Sequence, residues 1–83
     1  MVLIIPIFNG AAYLPNTFSL ISDYIHNNSN LIKSIIFVDD GSLDNTYELC
    51  LSRKDIAGVR VFTLRHHRNL GKGAAIITAF DWC

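Results

Sequence analysis

Three apolar runs rich in Ile, Val and Phe, at residues 2–8, 34–38 and 59–64, each break off at a polar or glycine-containing turn. Their length and β-branched content mark them as strands. The first two are almost continuously hydrophobic, which suits parallel strands covered on both faces; the third alternates more. Between the first two, Tyr13, Leu14, Phe18, Leu20, Ile21, Tyr24 and Ile25 recur at helical spacing and give way to Asn27-Asn28-Ser29-Asn30. A second helix is expected after a cap at Asp44 or Asn45, running through Thr46, Tyr47, Leu49 and Cys50 to an end near Gly58. A third opens at Gly71-Lys72-Gly73, with Ala75, Ile76, Ala79, Phe80 and Cys83 on one stripe, and the chain stops within it.

The resulting order, β-α-β-α-β-α without internal repeat or linker, predicts an α/β fold. Its parallel sheet is wound by right-handed crossovers, with helices on both faces, as half of a Rossmann-like, doubly wound domain. All 83 residues belong to one domain. Ligands of such sheets bind beyond the carboxyl ends of the strands. The residues to weigh first are therefore Phe8-Asn9-Gly10, Asp39-Asp40-Gly41-Ser42 and the segment 65–73.

Seven basic residues balance seven acidic ones, so no net field draws a nucleic acid or an anionic membrane, and any phosphate must be held locally. Cys50 and Cys83 stand far apart, without a second cysteine or a histidine at zinc spacing, and a reducing compartment is expected. The opening run lacks a preceding basic stretch, contains Pro6 and is much shorter than the roughly 20 residues that span a bilayer. It reads as a strand. Asn27-Asn28-Ser29 matches the glycosylation sequon, but with no export signal in view it reads as the loop that ends a helix.

Adjacent carboxylates at a strand end carry a desolvation and repulsion cost that something must offset. Successive strand residues point to opposite faces, so Asp39 and Asp40 are expected to do different work. One would bind backbone donors or cap a turn. The other would face the cleft as a fixed acceptor, able to take the imide hydrogen of uracil or guanine and to reject bases that leave that bond unmade. The plainer alternative is a polar strand-to-helix turn, for which Asp, Gly and Ser are standard residues. Pro6 cannot donate a ladder hydrogen bond and marks the edge of the cleft. Phe8 offers a stacking face or a core side chain, and Asn9 an amide for polar contacts or for the turn itself.

Residues 65–73 gather Arg65, His66, His67, Arg68 and Lys72 with two glycines just before a helix. Backbone donors at that helix start, with Lys72, make an anion site possible. The string lacks the G-x-x-x-x-G-K-[ST] pattern, and Ile76 stands where the last glycine of G-x-G-x-x-G belongs. With no carboxylate or cysteine at ligand spacing, His66 and His67 read as part of a solvated basic loop. Neither a nucleophile elbow nor H-E-x-x-H occurs, and no catalytic residue is assigned.

In order along the chain, Val-Leu-Ile-Ile-Pro-Ile-Phe-Asn (2–9), Tyr13-Leu14-Pro15, Ile-Ile-Phe-Val-Asp-Asp-Gly-Ser (35–42) with Asp44-Asn45-Thr46, and Asn-Leu-Gly-Lys-Gly-Ala-Ala (69–75) resemble family 2 glycosyltransferases. The last string, with Tyr-Leu-Pro, is most similar to the branch that transfers glucose or mannose to polyprenyl (dolichyl) phosphate. The resemblance implies a GT-A fold whose nucleobase pocket is lined by Pro6, Phe8 and Asp40, with Asn9 among the nucleotide-binding residues, Asp39 supporting the loop or the ribose, and Lys72 near the bound nucleotide. Phe8 replaces the tyrosine more usual there.

The resemblance also implies a UDP- or GDP-sugar donor, inversion at the anomeric carbon, and Mg²⁺ or Mn²⁺ held on the donor diphosphate by an Asp-x-Asp motif after a fourth strand. The chain ends before such a motif, and Asp81 is not part of one. An amino-terminal part of a longer enzyme is expected, inactive in sugar transfer by itself, working in the cytoplasm or on the cytoplasmic face of a membrane. Two other classes compete. A receiver-like module binding Mg²⁺ or nucleotide would place acidic residues after the first strand, which instead ends in Phe8-Asn9. A dinucleotide-dependent oxidoreductase would need a glycine fingerprint there, and only Gly10 is present.

Overall fold

The structure, a computed structural model, describes residues 2–28 and 31–66. Along the chain run β1 (Val2–Ile7), α1 (Leu14–Asn27), β2 (Ser34–Asp40), α2 (Thr46–Ser52), β3 (Asp55–Ile56) and β4 (Val59–His66). The sheet order is β1-β2-β4-β3. β1 pairs with β2 and β2 with β4 in parallel, while β3 joins β4 in antiparallel sense. Each helical crossover thus links neighbouring parallel strands, and the expected α/β fold is present with a mostly parallel, mixed sheet.

The antiparallel β3 was not foreseen, and α2 ends at Ser52, short of the expected end near Gly58. Both differences have one cause. Ala57 and Gly58 take φ values of 51° and 83°, a two-residue reversal in the left-handed region that pairs Ile56 with Val59. Alanine seldom takes that conformation, so Ala-Gly carries little hairpin signal. β4 also runs past Leu64 to His66, further than the apolar run suggested.

Pleating divides the sheet into two faces. On one, Ile7, Ile35, Phe37, Val59 and Val61 pack with Leu14, Ile21 and Ile25 of α1 and Cys50 of α2. Phe18 meets Phe37 edge to face, with ring centroids 5.7 Å apart. On the other, Ile36 and Val38 pack with Ile4, Phe62 and Leu64. Among the described residues both helices belong to the first core. The helix expected from 71 to 83 lies outside the described residues, and so does Lys72.

Pro6 is accommodated because, among the described residues, β1 lies at the sheet edge, where a missing backbone donor is tolerated. Pro15 falls in the first turn of α1, whose amides have no partner within the helix, and the Gly10 carbonyl accepts the Tyr13 and Leu14 amides instead. Gly10 must be small. A methyl group there would come within 2.9 Å of the Ile7 side chain and 2.8 Å of the Tyr13 ring.

Candidate functional site at the carboxyl ends of the strands

β1 and β2 deliver two loops, residues 8–13 and 41–45, side by side at the carboxyl edge of the sheet. Side-chain oxygens from the second loop and from the start of α2 receive three consecutive amides of the first. The Asn9 N–H donates to Ser42 Oγ at 2.8 Å, the Gly10 N–H to Thr46 Oγ1 at 2.8 Å, and the Ala11 N–H to Asp44 Oδ2 at 3.2 Å. In return the Leu43 N–H donates to Asn9 Oδ1 at 2.9 Å. The Ser42 hydroxyl donates to Asp39 Oδ1, and the Thr46 hydroxyl to Asp44 Oδ1.

Ser42, Asp44 and Thr46 therefore form a latch between loops. The sequence suggested a turn and a cap, and Asp44 does accept the Thr46 N–H at 3.0 Å; the bridge across more than 30 residues was not visible in it. Asn9 holds a φ of 49°, a left-handed conformation that asparagine tolerates better than most residues. Its amide thus serves the turn, and its oxygen is engaged by Leu43. The Thr46 hydroxyl is the main cause holding the Asp44 carboxyl below its ordinary pKa, with backbone donors of Thr46 and Ala11 adding to it.

The acid pair divides as strand geometry requires. Asp39 stands in register with Ile7 on β1 and Arg65 on β4, and Asp40 with His66 on β4. The two are only 1% and 4% exposed, so each needs compensation. On the helix-covered face, Asp39 receives Ser42 and lies 3.5 Å from Arg65 Nε, too poorly aligned for a hydrogen bond. Its Oδ2 has no hydrogen-bond donor among the described residues. Arg65 in turn stacks over Tyr47, 4.7 Å from the ring centroid. Nearby, burial first and the Asp39 charge second push the Cys50 thiol up to about 12.

On the opposite face, His66 Nδ1 lies 2.8 Å from Asp40 Oδ1. The assignment of His66 to a solvated loop is corrected here, since its ring is buried against a carboxylate. The sequence ended the third strand at Leu64. Two further residues of pairing set Arg65 and His66 beside Asp39 and Asp40, so that a basic pair answers the acidic one across neighbouring strands.

Pro6 is in register with Val38, two residues before Asp40 and on the same face. Pro6 and Asp40 therefore share a side of the sheet. Phe8 follows directly after β1, 42% exposed, in the loop that Asn9 ties to Leu43. Among the described residues no three metal-ligating side chains converge. No described helix is long and apolar enough to cross a membrane.

A mostly parallel α/β sheet carries an acid pair at the carboxyl end of a central strand with a latched loop beside it, at the edge where ligands of α/β sheets bind. Comparison with protein families matches residues 2–83 to Glycosyl transferase family 2, and the chain belongs to that family. No curated protein and no solved structure matches it. Membership makes it a glycosyltransferase domain and selects that class over a receiver-like module or a dinucleotide-dependent oxidoreductase. Nucleotide-sugar donors, acceptors and divalent metal ions are the partners this family implies.

Proposed function

We propose that residues 1–83 form the amino-terminal, nucleotide-sugar-binding part of a glycosyltransferase that moves a hexose from a UDP- or GDP-sugar to an acceptor with inversion. The observation that carries this reading is the placement of Asp40 on the same face as Pro6, at the carboxyl end of the middle parallel strand. Asp40 accepts the imide hydrogen of the base, in surroundings dry enough to make a missing partner costly. Phe8 stacks on the base beside Pro6. Asn9 and Asp39 serve the nucleotide by fixing the loop that carries Phe8, through Leu43 and Ser42 respectively. Lys72 supplies a positive charge near the bound nucleotide.

Polyprenyl phosphate is the acceptor favoured by the strings Tyr13-Leu14-Pro15 and 69–75, and it would place the reaction at a cytoplasmic membrane face. Mg²⁺ or Mn²⁺ would neutralise the charge developing on the departing diphosphate. The described residues offer no ligand set for such an ion.

Titration of the 83-residue chain with UDP and GDP, followed by backbone amide NMR, tests the proposal. Weak, saturable binding that moves the signals of Phe8, Asn9, Asp39 and Asp40 is expected, with no sugar transfer by the chain alone. Absence of binding to either nucleotide contradicts the assignment of the site, and measurable transfer contradicts the assignment of this segment as a binding part only.

A further inference from the structure

Building on the base-reading role given to Asp40, we propose that His66 is its positioning residue, and that the imidazole determines how sharply the site distinguishes uracil or guanine from other bases. An aspartate carboxylate turns about its Cβ–Cγ bond unless something fixes it. At the end of β2 that freedom is removed by a ring from the adjacent strand, held at the same level by the Asp40 to His66 register. The separation of 2.8 Å is that of a charge-assisted hydrogen bond.

The direction of the bond follows from its chemistry. An ionised carboxylate can only accept, so Nδ1 of His66 must carry the proton. Both partners are nearly buried and both are anchored by backbone pairing, so the contact is rigid as well as strong. Asp39 presents a contrast. Its neighbour Arg65 is more than a third exposed, 3.5 Å away and turned onto Tyr47, an arrangement that neutralises charge without fixing an angle. Of the two acids, Asp40 is the one whose orientation is set by an aligned side-chain donor on β4.

Four variants of the 83-residue chain test the role: His66→Phe, which keeps a ring and removes the donor; His66→Asn, whose amide nitrogen stands near the place of Nδ1; Asp40→Asn; and Asp40→Asn combined with His66→Phe. Affinities for UDP and CDP are measured, with thermal unfolding as the control for folding. His66→Phe should weaken UDP binding by about tenfold, the effect of losing one good hydrogen bond to a charged group, and narrow the preference over CDP by a similar factor. His66→Asn should stay within about threefold of wild type. In the Asp40→Asn background, His66→Phe should have little further effect, because its action runs through the carboxylate.

Two-bond ¹H–¹⁵N spectra of the wild-type imidazole provide a measurement that needs no folded variant. They should show the Nδ1–H form of His66, with a shift on adding UDP that CDP does not produce. Normal UDP affinity and selectivity in His66→Phe overturns the proposal. So does equal loss for UDP and CDP, equal loss with and without Asp40, or an Nε2–H ring unmoved by UDP. If the wild-type chain binds no nucleoside diphosphate, the base-reading role of Asp40 falls first and this proposal with it.

Discussion

Thr46 Oγ1 accepts the Gly10 N–H at 2.8 Å, across 36 residues of sequence and inside the protein. The same hydroxyl donates to Asp44, so one side chain joins the two loops that border the candidate site. Thr46→Val preserves shape and leaves the buried Gly10 amide unpaired, which costs about 1–3 kcal/mol. For a chain of this size each kcal/mol lowers the unfolding midpoint by roughly 4–8 °C. Thermal unfolding of Thr46→Val should therefore show a clear drop, with Thr46→Ser much closer to wild type. Equal midpoints for Thr46→Val and wild type would show that the latch carries no stability.

Asp44 gives the latch a pH dependence. Its folded-state pKa lies below the ordinary carboxylate value, chiefly because the Thr46 hydroxyl donates to the charged form. The stabilisation is thus fully present above the unfolded-state value and is lost as pH falls through the lowered one. Denaturant unfolding at a series of pH values should show Asp44→Asn less stable than wild type near neutrality, with the gap closing in acid. A gap that stays constant with pH would remove the charge from the explanation.

Cys50 is predicted to be inert while the protein is folded. Burial, aided by the charge of Asp39, keeps the thiol protonated to about 12, and the thiolate is the reactive form. In a Cys83→Ser background, iodoacetamide at pH 8 should label Cys50 only as fast as the protein opens. The linked stability is full below the thiol pKa of the unfolded chain and declines above it as pH approaches the folded value. Labelling at the rate of a free thiol would contradict the buried position.

Strand identity was legible from the apolar runs because β1 and β2 are buried by their own side chains, and the helical stripe of Leu14, Ile21 and Ile25 gave α1. The placement of Asp39 and Asp40 on opposite faces of the sheet also followed from strand alternation. Contacts set by register were not legible. Arg65 and His66 look like loop residues in sequence, and only pairing with β2 makes them partners of the acids. The Ala57-Gly58 reversal was hidden because alanine gives no warning of a positive φ. Ser42 read as a turn residue, Asp44 as a helix cap and Thr46 as part of the helix, and nothing in the sequence names the amides of residues 9–11 as their donors.

Whether Asp40 reads the base is decided by calorimetric comparison of UDP and CDP binding to wild type and to Asp40→Asn. A carboxylate accepts the N3 hydrogen of uracil, whereas an amide can instead donate to N3 of cytosine. Wild type should prefer UDP by about tenfold or more, and Asp40→Asn should lose or reverse that preference, one hydrogen bond being worth about that factor. An unchanged preference for UDP in Asp40→Asn would contradict the account.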